Sequence, residues 1–395
     1  MTTIDTRPDT AVNDGDESQS AIVSFTTTAA SWVVTADHKR IGRIYAGFGL
    51  LALLATAVLG VLLGIERADD SSLLLDGDAL LQVFQAYRVG LVFGAIAPLS
   101  LGLAIAVVPL QLGARSIAFP RLALAGCYSW LGGLALTMAA LGANGGIGGG
   151  DPDAIDLFVA GHGLMIVGLL ASAGSVAVSV LTTRAPGMTM RRVPLLAWSA
   201  LVGSIGMLLA LPVAFGTIIY LFLDLRYAQL NFGGSEGIAA WLGWAFSVPM
   251  VVVFALPAIG FAAETVAVAF KTPHAMRGVT VAGIALVGVA ALSAVTQQPV
   301  HEVDLDGSGS EVAEGLVPML LFAGLPLLGL LMVLGLAAIT AKNGIGNGRP
   351  NIGAPLVFGF FGLGMVLVGV MGNFLLSVTD LDLLGTSFEE GATIY

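Results

Sequence analysis

Residues 44–65 read Ile44-Tyr45-Ala46-Gly47-Phe48-Gly49-Leu50-Leu51-Ala52-Leu53-Leu54-Ala55-Thr56-Ala57-Val58-Leu59-Gly60-Val61-Leu62-Leu63-Gly64-Ile65, a run without one charged side chain. It is entered through Asp37-His38-Lys39-Arg40-Ile41-Gly42-Arg43 and left through Glu66-Arg67. A helix crossing the hydrocarbon core of a bilayer needs roughly 20 apolar residues. This stretch therefore predicts a transmembrane helix with charge at both ends. The same reading outward gives nine spans, at about 42–65, 84–112, 121–143, 155–182, 194–223, 239–269, 279–297, 313–341 and 353–378. Several exceed the minimum length, which fits tilted helices in a bundle. Glycine is abundant at 53 residues, many of them within spans, so close helix contact is expected.

Composition agrees. The chain is 56% hydrophobic and 11% charged, with a mean hydropathy of +0.92, whereas a soluble domain carries about 25% charged residues. The fold class expected is all-α, a polytopic membrane helix bundle. The single Cys127 excludes an intrachain disulfide and any Cys-based zinc or iron–sulfur site. Residues 1–35 are polar and acidic, with Asp5, Asp9, Asp14, Asp16 and Glu17 and no apolar run. They are expected to form a disordered cytoplasmic tail without a signal peptide, ahead of a transmembrane domain over 36–395.

The loops give an orientation. Those after an even number of crossings carry Lys39, Arg40, Arg43, Arg115, Arg121, Arg184, Arg191, Arg192, Lys271, Arg277, Lys342 and Arg349, against Arg67 and Arg226 on the other side. By the positive-inside rule this predicts a multi-pass protein of the cell membrane with the N-terminus inside and the C-terminus outside. The net charge of −10 then belongs mostly to the outer face, with Asp76, Asp78, Asp151, Asp153, Asp156, Asp224 and Glu236 among its carriers.

Three motifs carry a family resemblance: Asp37-His38-Lys39-Arg40-Ile41-Gly42, then Val108-Pro109-Leu110-Gln111-Leu112-Gly113-Ala114, then Arg184-Ala185-Pro186-Gly187-Met188. Ala118-Phe119-Pro120-Arg121-Leu122, Pro194-Leu195-Leu196-Ala197-Trp198-Ser199 and Leu211-Pro212-Val213 extend it. From Asp37 to about Arg226, and more weakly onward, the chain resembles subunit I of the heme–copper (cytochrome c) oxidases. The resemblance implies axial donors for heme iron and three imidazoles for copper. The four histidines, His38, His162, His274 and His301, lie elsewhere. The heme-ligand position of the second helix aligns with Tyr87, a weak cofactor candidate because tyrosinate suits ferric iron and otherwise an interfacial tyrosine. The sixth-helix His-Pro-Glu-Val-Tyr aligns with Val248-Pro249-Met250-Val251-Val252, and the following His-His pair with Gln297-Gln298. The two proton-channel entrances match Ser116 and Leu330. In the family a His-x-His follows the segment resembling Phe388–Tyr395, and the sequence ends at Tyr395.

Charged groups within spans are functional candidates because the bilayer penalises them. Arg88 is placed to snorkel outward, or to pair with Asp69, Asp70 or an anionic lipid. Glu264 is placed for a salt bridge with Lys271, or for a proton or substrate role. His162 reads as a packing histidine, His38 as an anchor of the first span, and His274 and His301 as solvated. Asp304-Leu305-Asp306-Gly307-Ser308-Gly309 begins like a calcium loop, but its twelfth position is Gly315 where a bidentate Glu is needed. Asp304, Asp306 and Ser308 are thus weak calcium candidates in a flexible acidic loop.

The function expected is a non-catalytic, subunit I-like scaffold or accessory subunit of a respiratory-type membrane complex, with no heme or copper. Alternatives are a split oxidase whose second chain supplies heme ligands, or a lipid- or quinone-binding or transport protein using vacated heme cavities. Partners expected are other membrane subunits and lipid. Nothing in the chain supports nucleic-acid recognition.

Overall fold

The computed structural model describes residues 32, 34–68, 75–346, 348–383, 386 and 388. Among them, nine helices are long and apolar enough to cross a membrane: α1 (His38–Glu66), α2 (Gly77–Gln111), α3 (Pro120–Gly142), α4 (Pro152–Thr182), α5 (Leu195–Arg226), α6 (Gly234–Ala269), α7 (Arg277–Val295), α8 (Gly309–Gly344) and α9 (Ala354–Leu376). Each corresponds to one expected span. Most of residues 1–35, Asp69, Asp70 and most of Phe388–Tyr395 lie outside the described residues.

Several helices begin earlier than hydropathy places them, α2, α6 and α8 among them, because polar turns project beyond the apolar run. Asp76 caps α2, its Oδ1 accepting from the backbone N of Ala79 at 2.9 Å. Ser308 and Glu311 form a reciprocal capping box that starts α8. Gly233, at φ 87°, turns the chain into α6. A hydropathy window sees none of these, since capping needs polar atoms exactly where apolarity stops.

The helices are interrupted in physically specific ways. α2 contains a π-helical turn over Gly90–Ile96. α6 is broken at Ser247, whose backbone is extended (φ −94°, ψ 167°), with Pro249 inside the first turn of the restarted helix, a position where proline's missing N–H costs nothing. α8 has a π-helical turn over Leu320–Gly324 between Pro318 and Pro326. Proline removes one rung of the hydrogen-bond ladder, which is a recurrent cause of such irregularity.

Two apolar clusters hold the bundle. One unites α1 to α7 around Tyr45, Phe93, Trp130, Met165 and Phe254; the other joins α5 to α9 through Leu195, Leu256, Ile284, Val287, Val333, Leu363 and Val370. α3 and α4 pack backbone to backbone. A Cβ on Gly133 would lie 2.4 Å from the Met165 nitrogen, and one on Gly168 2.4 Å from that of Trp130. In lipid, helix contact depends on dispersion and close approach, which small residues permit. Tyr45 locks α1 to this pair by sharing a 2.7 Å hydrogen bond with Ser172 while its ring tilts against Trp130.

Candidate functional site

The positions that the oxidase resemblance assigns to metals are brought to different surroundings. The Tyr87 ring packs against α1, with Cε2 3.1 Å from where a Cβ on Gly60 would stand. Val248 opens the restarted half of α6 and brings no donor atom. Gln297 sits in a left-handed conformation at φ 53°. Its side-chain amide donates to Thr217 Oγ1 at 2.8 Å, and Gln298 is exposed. Leu330 is buried in the second apolar cluster. Ser116 is half-buried, its hydroxyl without a hydrogen-bond partner among the described residues.

Between α2, α4 and α6 the interior is filled by rings. Phe93 meets Phe246 edge to face at 5.1 Å and Phe254 at 5.6 Å. His162 lies 4.4 Å from Phe158 and 5.8 Å from Phe246 between ring centroids. Its Nδ1 is 3.2 Å from the Phe158 carbonyl and 3.4 Å from Thr137 Oγ1. His162 is thus held by packing and hydrogen bonding, as the sequence suggested. Phe254 and Met250 are fully buried.

Arg88 departs from the snorkelling expectation. It is half-buried, its Cζ 5.9 Å from the ring centres of both Phe84 and Phe246, and Nη2 is 3.5 Å from the Phe246 carbonyl. The segment of α6 that ends at Phe246, just before the break at Ser247, presents that carbonyl and gives the guanidinium a polar target beside two aromatic faces. Asp69 and Asp70, its other suggested partners, are outside the described residues.

Glu264 is a cross-helix cap. Its Oε2 accepts from Gln111 Nε2 at 3.1 Å and from the backbone N of Leu196 at 3.2 Å. The second contact satisfies an amide in the first turn of α5, where the helix dipole favours negative charge. Gln111 was not singled out from sequence as a partner, although it lies in the Val108–Ala114 motif. In the adjoining loop, partial burial and then Arg277 lower the pKa of His274, with Glu264 opposing. Arg277 itself donates to the Val193 carbonyl. Asp224, likewise not singled out, is buried at the end of α5 and accepts from the backbone N of Asn231 at 3.0 Å and of Phe232 at 3.2 Å.

The acidic loop before α8 makes local hydrogen bonds. Asp304 Oδ1 accepts from the Asp306 nitrogen at 2.9 Å, and Asp380 Oδ2 from that of Leu305 at 3.0 Å. Ser308 is committed to the capping box. Val303 bridges the end of α9, its N donating to the Ser377 carbonyl at 2.7 Å and its carbonyl accepting from Thr379 N at 3.1 Å. His301, expected in solvent, is 4% exposed and stacked on Phe322 at 4.8 Å. The short loop folds back over α8 and carries the ring with it. His38 is buried at the start of α1, with Nδ1 3.8 Å from Asp37, in keeping with an anchoring role.

Comparison with known proteins places these features in a family. The model for cytochrome c and quinol oxidase polypeptide I matches residues 40–298, well over half of the 395. The chain is 31% identical over 264 residues to a putative cytochrome c oxidase subunit 1-beta of Streptomyces avermitilis, covering 61% of this chain and 46% of the relative. It is 31% identical over 259 residues to the cytochrome c oxidase subunit 1 of Bacillus subtilis, covering 60% of this chain and 40% of that protein. A putative subunit 1-beta of Streptomyces coelicolor is 32% identical over 259 residues, 61% of this chain and 45% of the relative. The chain thus matches less than half the length of these relatives.

Proposed function

From the premise that the chain belongs to the cytochrome c and quinol oxidase polypeptide I family, we propose that it is a non-catalytic scaffold or accessory subunit of a respiratory-type membrane complex. It is an oxidase-family, multi-pass protein of the cell membrane. The finer reading rests on the donor set. Heme iron needs axial donors and the family's copper needs imidazoles. At the aligned positions stand Tyr87, turned toward Gly60, Val248, and a Gln297 amide already bonded to Thr217. These side chains do not fit the family's metals, and no step of oxygen reduction is derived through them.

The ring-filled interior around Phe93, Phe246 and Phe254 supports the same reading. A porphyrin entering between α2, α4 and α6 would have to displace this interlocked packing, and cores resist such volume changes. The same filling counts against transport through vacated heme cavities. The relatives named as subunits of cytochrome c oxidase support membrane subunits as partners. The charge bias of the loops supports the basic side as cytoplasmic, with the N-terminus inside and, after the nine spans among the described residues, the C-terminus outside.

A pyridine-hemochrome assay with copper analysis on purified protein tests the reading. The expected result is heme and copper far below one per chain. Stoichiometric heme would overturn it, and heme appearing only with a co-purifying second chain would establish the split-oxidase alternative.

A further inference from the structure

α6 and α9 run side by side and leave an apolar groove of about 350 Å³ between them, lined by Ala255, Ala258 and Ala262 on one wall and by Phe358, Gly359 and Gly362 on the other. The helices touch at its floor, where a Cβ on Gly359 would lie 3.3 Å from that of Ala262. At Gly362 an added Cβ would meet nothing within 4 Å, so this position faces the open part of the groove. Its lining runs along α9 from Ala354 to Val366, roughly 18 Å at 1.5 Å per residue. That is close to one leaflet of a hydrocarbon core about 30 Å thick.

The mouth at the Ala354 end lies beneath two loops. The backbone N of Asn351 donates to the Ala269 carbonyl at 2.9 Å, which ties the loop before α9 to the end of α6. These loops and the helix turns flanking them carry Lys271, Arg277, Lys342 and Arg349. No carboxylate occurs between Glu264 and Glu302 or between Glu314 and Asp380, and Glu264 is engaged with Gln111 and the α5 amide. The loops at this end of the groove thus carry four basic residues against the nearby Glu264, a net positive charge, and the groove itself is hydrocarbon-like.

We propose that this groove binds an anionic glycerophospholipid from the surrounding leaflet, with one acyl chain lying along Gly359 and Gly362 and the phosphate drawn to the basic loops. The length of roughly 18 Å matches an acyl chain lying in one leaflet. Charge sets the headgroup, since each Lys or Arg near a membrane surface attracts anionic lipid appreciably.

Native mass spectrometry of the purified full chain in detergent, titrated with phosphatidylglycerol or with phosphatidylcholine of identical chains, tests this. The expected result is one phosphatidylglycerol held through detergent conditions that strip phosphatidylcholine. Gly362→Phe fills the open groove without a backbone clash and should weaken that binding about tenfold or more, at unchanged helicity by circular dichroism. Removing Lys342 and Arg349 together, as K342A and R349A, should reduce the preference for phosphatidylglycerol by about fivefold per charge while leaving phosphatidylcholine unaffected. Should Gly362→Phe fail to fold, Ala258→Leu and the charge variants decide. Equal binding of the two lipids by the wild type, or full retention by the filled variants, would overturn the proposal. So would cross-linking of Gly362→Cys, in a Cys127→Ser background, to another polypeptide.

Discussion

The indole N–H of Trp130 on α3 donates to the backbone carbonyl of Phe93 at 2.8 Å, and Phe93 lies within the π-helical turn of α2. A π-turn disturbs the regular i→i−4 ladder, so a carbonyl there is open to an outside donor. Trp130, fully buried, supplies it. The contact joins the irregular segment of α2 to the tight α3–α4 pair and fixes the Phe93 ring against Phe246 and Phe254.

Trp130→Phe should therefore lower thermal stability in detergent. It leaves the Phe93 carbonyl without its partner, about 1–3 kcal/mol, and a further loss follows from the void left by the smaller ring. A melting temperature equal to that of the wild type would show that the hydrogen bond holds nothing in place.

Glu264 gives a second prediction. Glu264→Gln keeps an acceptor for the Leu196 amide but loses the charge that complements the α5 N-terminus, costing roughly 0.3–2 kcal/mol. Glu264→Ala removes both and should be clearly more destabilising. Equal melting temperatures for the two variants would argue that capping is not what Glu264 does.

His301 makes stability depend on pH. Burial holds its pKa below the ordinary histidine value of 6.5, so the unfolded chain binds the proton more readily. Stability is then full above about pH 6.5 and falls as the pH drops from there toward the lowered folded-state value. His301→Phe should flatten this part of the profile. Unchanged pH dependence of the melting temperature between pH 7.5 and 5 would refute it.

The loop before α8 should behave as a helix cap. Ser308→Ala is expected to cost about 0.5–2 kcal/mol, while millimolar calcium should leave the wild-type melting temperature unchanged, because Asp304 and Ser308 already bond the chain locally. A calcium-dependent rise in melting temperature, lost in Asp304→Asn, would restore the metal reading.

At the α3–α4 crossing, Gly168→Leu should abolish correct assembly, seen as loss of monodisperse protein by size-exclusion chromatography. Its side chain would begin 2.4 Å from the Trp130 nitrogen, and neither backbone can retreat without opening the interface. Recovery of well-folded protein would contradict the backbone contact.

The spans found among the described residues and the family were both legible in the residues alone. Apolar runs such as Ile44–Ile65 are long enough to cross a hydrocarbon core, and because lipid offers the backbone no hydrogen bonds they cross it as helices. Motifs such as Val108–Ala114 can be read residue by residue. The chemical identity of Tyr87, Val248 and Gln297 was equally legible. Tertiary structure alone decided what these side chains and the charged ones touch. Arg88 turned inward to the Phe246 carbonyl because α6 breaks at Ser247, and Glu264 found Gln111 and the start of α5, partners 153 and 68 residues away in the chain. His301 was buried by a loop folding onto Phe322. Hydropathy records the solvent a segment prefers. Which polar atoms meet inside the bundle depends on helix rotation, breaks and crossing points, and these are fixed only when the helices pack together.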